Sequence, residues 1–127
     1  MREQISTKNA PAAIGAYSQA ILSDDIIFTS GQLPMDPETG EMVENDIKKQ
    51  TKQSLDNLKF ILNEANSDCN NILKTTIFLS DLNNFSEVNK IYAEYFDGAP
   101  PARSCIEVSK LPKDSLIEIE AIAKKRK

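Results

Sequence analysis

The stretch PPARSCIEVSKLPKDSLIEIEAIA, residues 100–123, decides how the chain is read. It predicts two strands separated by a turn over Lys110–Ser115 that contains Pro112. Side chains alternate faces along a strand, so Ser104, Ile106 and Val108 share one side of the first, and Arg103, Cys105 and Glu107 the other. In the second strand Ile117, Ile119, Ala121 and Ala123 lie opposite Leu116, Glu118, Glu120 and Ile122. A guanidinium, a thiol and two carboxylates thus fall at two-residue spacing, about 6.6 Å apart along each strand. Strands hold side chains more rigidly than loops do, which suits a small binding site.

Working back from that stretch, the period changes twice. Asn45 to about Asn66 is helical, with Ile47, Thr51, Leu55, Leu58, Ile61, Leu62 and Ala65 on one stripe. Lys74–Ser80 reads as an interior strand, apolar on both faces. Asn84 followed by Glu87 resembles a capping box opening a second helix, with Phe85, Val88, Ile91, Tyr92, Tyr95 and Phe96 as its buried stripe and Asn89 off its centre. Those aromatics sit at helical spacing and read as core. Asp97-Gly98 and Pro100-Pro101 end the helix.

Toward the N-terminus, Tyr17–Leu22 and Ile26–Gln32 read as strands joined by Ser23-Asp24-Asp25. Gly31 signals either a close backbone approach or a plain strand end before Pro34. Asp36-Pro37-Glu38-Thr39-Gly40 is a turn, with a short strand beside it. The order β-β-(short β)-α-β-α-β-β gives one α+β domain over residues 1–127, a single mixed six-stranded sheet with two helices on one face. The other face keeps apolar side chains that water would wet, so self-association through it follows, with a closed ring as the natural solution.

Composition narrows the chemistry. The chain has 127 residues, 40% of them hydrophobic, enough to bury a core of ordinary size. It has no histidine, which excludes Ser-His-Asp and Cys-His machinery and histidine-bearing metal sites. Cys69 and Cys105, with no apolar signal-peptide core before them, point to reduced thiols and a cytoplasmic setting, and no run of residues is long enough to span a membrane. Net charge is −4, but Lys124–Lys127 are all basic, and without them the body carries −8. Binding to a phosphate backbone is therefore disfavoured, and the basic tail reads as a solvated terminus.

Spacing leaves two readings of Arg103. One is a structural ion pair with Glu118 or Glu120, which spacing alone favours. The other is a bidentate clamp on a substrate carboxylate, with a thiol whose pKa the arginine lowers and a carboxylate that deprotonates water.

Beyond spacing, residues 100–123 resemble the C-terminal signature of the reactive-intermediate (enamine/imine) deaminase family of RidA or YjgF type. So do NAPAAIGAYSQA (9–20), FTSGQLPMDPETGE (28–41), QSLDNLKFIL (53–62) and KTTIFLSDLNNFSEVNKIY (74–92), nearly end to end. The resemblance implies a chorismate-mutase-like α+β fold, a homotrimer with active sites between subunits, and cofactor-free hydrolysis of 2-imino acids to 2-oxo acids and ammonia. By the same resemblance Arg103 clamps the substrate carboxylate. Cys105 and Glu118 line the pocket near the attacking water, Tyr17, Ser30 and Gly31 complete it, and Asn89 lies close by. No metal is implied. Glu120 receives no role from the family and reads as part of a salt bridge. Two other functions remain as alternatives, an RNA-directed translation inhibitor and a non-catalytic binding or holdase trimer.

Overall fold

The computed structural model describes residues 2–127. Strands β1 (Arg2–Ile5), β2 (Ala20–Ser23) and β3 (Ile26–Thr29) are followed by helix α1 (Ile47–Glu64). Then come β4 (Ile72–Leu79), α2 (Phe85–Ala93), β5 (Ala102–Glu107) and β6 (Ile117–Lys124). They form one mixed six-stranded sheet in the order β1-β2-β3-β6-β4-β5. Only β4 and β5 run parallel, and α2 is the crossover between them.

The sixth strand is not the one the sequence pattern suggests. Met35 and Met42 make a single bridge around the Asp36–Gly40 turn, and the edge strand is instead β1, Arg2–Ile5, paired with β2. Its burial pattern, exposed at every position but Ile5, gives too weak an alternation to see in advance. The first predicted strand is likewise shorter, and Tyr17 lies outside it.

Strand β6 is the centre of the architecture. It is inserted between β3 and β4, so the two strands of the 100–123 stretch are not neighbours in the sheet. Its alternation divides the molecule as expected. Ile117, Ile119, Ala121 and Ala123 are buried under the helices with Ile27, Ile77, Leu79, Leu55, Leu58, Ile61 and Val88. No helix covers the other face, where Phe28 and Ile106 remain 47% and 45% exposed.

Helix α1 starts where Asp46 accepts a hydrogen bond from Lys49 N at 2.9 Å. Its buried face also includes Gln50, Ser54 and Asn57, which the apolar stripe does not reveal. Two of these tie loops to the sheet. Gln50 Oε1 accepts from Leu116 N at 2.9 Å, just before β6, and Asn57 Nδ2 donates to Leu33 O and Met35 O at 3.1 and 3.0 Å. The capping box at α2 does not form. Asn84 has helical dihedrals and makes no side-chain cap, because a short 3-10 turn, Leu82–Asn84, precedes the helix and Asp81 caps that turn. The basic tail is also less free than its composition suggests. Lys125 N donates to Asp25 O, Arg126 N to Asn66 O, and Arg126 pairs with Asp68 at 2.8 Å. No helix among the described residues is long and apolar enough to cross a membrane.

Asn57 is fully buried and donates to two loop carbonyls, that of Leu33, which also accepts from Met35 N, and that of Met35. Asn57→Ala is expected to cost about 1–3 kcal/mol in urea denaturation, the usual range for leaving buried polar groups unpaired. Asn57→Asp should cost at least as much, because a carboxylate cannot donate.

Candidate active site

The register fixes which candidate residues share a face. Thr75 lies beside Arg103 and Ile77 beside Cys105, while Ile77 also faces Ile119. Arg103 and Cys105 therefore stand on the helix-covered side of the sheet. Glu118 is opposite Phe78, and Glu120 opposite Thr76, on the open side. Arg103 and the two glutamates point to opposite faces, so the ion pair that spacing favours does not form.

On the helix side, β5 is an edge strand and its side chains meet α2. Arg103 Nη1 donates to Asn89 Oδ1 at 2.9 Å, and the guanidinium carbon lies 5.1 Å from the Phe85 ring centre and 5.0 Å from that of Tyr92. Both are within cation–π range. Phe85, Asn89 and Tyr92 recur at helical spacing, so one face of α2 supplies two rings and one amide to a single arginine. Tyr92 is itself 3% exposed and its hydroxyl hydrogen-bonds Thr75 at 2.7 Å, so it is both core and platform. The family resemblance puts Asn89 near the site, whereas helical spacing assigns Phe85 and Tyr92 to the core alone. The available signal was their spacing around Asn89. Cys105 is half-buried beside Arg103. Burial pushes its thiol above the ordinary range, and the Arg103 charge only partly offsets this. The expectation of a lowered thiol pKa is thus reversed, because desolvation outweighs the charge.

On the open side, β3 carries a bulge. Phe28 pairs with Ile122 and Gln32 with Ile119, so four steps along this segment match three along β6. Thr29 Oγ1 takes the Ala121 amide at 3.0 Å within the irregularity, and the ladder resumes at Gln32. Gly31 sits in the bulge under Glu118. A Cβ there would lie 2.8 Å from the Glu118 carboxyl carbon and closer still to Oε2. Of the two readings of Gly31, the close approach is the one observed. Ser30 Oγ donates to Ser18 O at 2.6 Å and its amide donates to Gln19 O at 2.9 Å. Tyr17, 51% exposed, lines a cavity of about 290 Å³ together with Gly31, Ile14, Leu33, Met35 and Lys113. Burial raises the Glu118 carboxyl above the usual carboxylate range, and Glu120 adds to the shift.

The candidates thus fall into two groups, Arg103, Cys105 and Asn89 on one side, and Tyr17, Ser30, Gly31 and Glu118 on the other. Cys69 belongs to neither. It is buried in the short 3-10 turn between α1 and β4, where desolvation pushes its thiol up to about 11.

The sequence matches the family model described as Endoribonuclease L-PSP over residues 7–125. The chain belongs to this family, the Rid/YjgF family. It is 54% identical over 125 residues to a RutC family protein of Pyrococcus horikoshii, covering 98% of this chain and 99% of that one. It is 53% identical to the 2-iminobutanoate/2-iminopropanoate deaminase of Rattus norvegicus, covering 97% and 90%. Among solved structures, a protein of the conserved Rid family from Yersinia pestis superposes with a TM-score of 0.96 at 54% identity, covering 98% and 99%. The Rid/YjgF fold described above is therefore shared with proteins of similar sequence along almost their whole length.

The raised thiol can be checked directly. Cys105 alkylation by iodoacetamide at neutral pH should be slower than that of free cysteine and should climb only as pH passes above the ordinary thiol range. Arg103→Ala removes the one influence that lowers this pKa, so it should slow alkylation further at fixed pH. Peptide mapping separates Cys105 from the buried Cys69.

Proposed function

We propose that this protein hydrolyses 2-imino acids such as 2-iminobutanoate and 2-iminopropanoate to 2-oxo acids and ammonia, at sites built from two copies of the chain. The observation that carries the reading is the guanidinium of Arg103. It is fixed between two rings and one amide, and its other N–H groups have no partner among the described residues. A planar fork held this way matches a carboxylate in two hydrogen bonds. The relatives named 2-iminobutanoate/2-iminopropanoate deaminase support the substrate class.

The chemistry then follows from the open-side group. An iminium conjugated to a carboxylate is already electrophilic, so positioning and a proton acceptor are sufficient. Water oxygen attacks C2 as the C=N π electrons move to nitrogen, and Glu118 takes the water proton. Glu118 returns it to the nitrogen of the carbinolamine. The C–N bond breaks, ammonia leaves, the C=O bond forms, and the hydroxyl proton passes to the regenerated carboxylate and on to solvent. The route consumes one water and draws on no cofactor. Cys105 fills the wall beside the clamp as a small soft side chain.

Because Arg103 and Glu118 face opposite ways, one copy cannot supply both. The uncovered sheet face with Phe28 and Ile106 supports a ring of three in which the β5–α2 edge of one copy meets the open face of the next. An RNA-directed activity is disfavoured by the acidic body and the missing histidine, and a purely binding role leaves the prepared arginine unexplained.

Arg103→Ala and Arg103→Lys should both abolish imine hydrolysis above the spontaneous rate, in an assay fed by a purified imine-generating enzyme. Glu118→Gln should lose about 10²–10⁴-fold and Cys105→Ser much less. A dead Cys105→Ser beside a mild Glu118→Gln would reverse the two roles.

Light scattering should give a trimer mass. Co-refolding equal amounts of Arg103→Ala and Glu118→Gln should restore about a quarter of wild-type activity. Three in four random rings are mixed, and each mixed ring holds one intact site of three, by the geometry of a closed ring. No recovery on mixing would place the site within one copy.

A further inference from the structure

Glu120 has no partner that would explain it. It lies two residues from Glu118 on the open face of β6, half-buried like it, and neither carboxylate makes an ion pair among the described residues. We propose that Glu120 is a positioning residue of the hydrolytic site, setting through space the proton affinity of Glu118, so that one carboxyl can both take the proton of water and return it. The proposal rests on the hydrolytic reading above and extends it to a residue given no direct part in the chemistry.

The surroundings show why a second carboxylate matters here. From β4, Phe78 stands opposite Glu118 and Thr76 opposite Glu120, and neither can titrate or carry charge. From the β3 side, Gly31 lies directly under the Glu118 carboxyl, and Phe28 faces Ile122 farther along. The Tyr17 phenol and the Lys113 ammonium line the cavity beside Gly31, and Lys113 makes no ion pair with Glu118 among the described residues. Lys74 and Lys124 share the open face at the far end of β6, level with Ile122 and Ile26, and pair with neither glutamate. In the proposed ring, Arg103 of a second copy faces the same site and binds the substrate carboxylate. Along its own strand face the neighbour of Glu118 is Glu120, a charge of the same sign. Two like charges about 7 Å apart on one strand face, over apolar residues, disfavour simultaneous ionisation.

The direction of the effect follows. Glu118 is already raised, first by burial and then by Glu120. A base with greater proton affinity is a better acceptor from water, at the cost of being protonated over a wider acid range. Removing the Glu120 charge should therefore weaken the base and free it at lower pH.

The experiment is the pH profile of kcat/KM for imine hydrolysis by the assembled protein with Glu120→Gln. The acid limb is expected to move to lower pH while the plateau falls about two- to tenfold, the modest loss that Brønsted behaviour gives a weakened base. Glu120→Asp, which keeps the charge, should restore the wild-type limb. Raising ionic strength should move the wild-type limb the same way and leave that of Glu120→Gln in place. A readout independent of turnover is the titration of the Glu118 side-chain carboxyl by carbon NMR in both proteins. Its midpoint should fall in Glu120→Gln. If the wild type hydrolyses imine but neither limb nor NMR midpoint moves, Glu120 plays no such part and the deaminase reading stands. If the wild type shows no hydrolysis, the deaminase reading fails, and the NMR midpoint still decides whether the two carboxyls are coupled.

Discussion

Everything in this structure depends on where β6 lies. A strand buried on one face beneath two helices must place an apolar side chain at every second position, and Ile117, Ile119, Ala121 and Ala123 do so. The intervening positions are then forced to the other face, and there the chain carries Glu118 and Glu120. Because β6 is central, flanked by β3 and β4, its backbone is paired on both sides and its side chains cannot shift register without exposing the core. The same constraint that makes the hydrophobic core fixes the two carboxylates in a partly desolvated position. Stability and proton chemistry are therefore set by one alternation.

The bulge in β3 is the local adjustment that makes this position usable. An unbroken ladder would carry a side chain past Glu118, whereas the extra residue puts Gly31 there and leaves room for the carboxyl. The irregular backbone is supported from the far side of the sheet. Asn57 holds Leu33 and Met35, while Gln50 holds Leu116. These amides sit on the buried face of α1, where a purely apolar stripe would pack as well but would not satisfy the loop groups. The helix is thus both a cover for the sheet and a brace for the loops on either side of Glu118.

Arg103 shows the opposite strategy. It is on an edge strand and has no carboxylate partner among the described residues. Two aromatic faces and one amide oxygen fix its orientation without cancelling its charge, which a carboxylate partner would do. In its neighbour Cys105 desolvation outweighs the guanidinium, and the thiol lies above its ordinary range. The electrostatic contrast between the two sides of the sheet, an unpaired cation on one and unpaired anions on the other, is what makes a site between copies chemically reasonable.

The sequence by itself determined the element types, the two helical stripes, the inward-facing residues of β6 and the family. These follow from local periodicity and from long motifs, which are properties of neighbouring residues. It also names Gly31, Asn89, Arg103 and Glu118 as candidates, and the structure sets Gly31 against Glu118 and bonds Arg103 to Asn89. It did not reveal β1, whose exposed edge leaves no alternation, or the Asp81 cap, which belongs to a 3-10 turn ahead of the helix. Nor did it reveal that Arg103 and Glu118 face apart. Along the chain they lie on successive strands, and simple spacing makes them partners. Only the tertiary structure inserts β6 on the far side of β4, away from β5, and the parallel and antiparallel registers of β4 then decide which side chains share a face. That pairing is set by contacts between residues distant in sequence, so no local pattern encodes it.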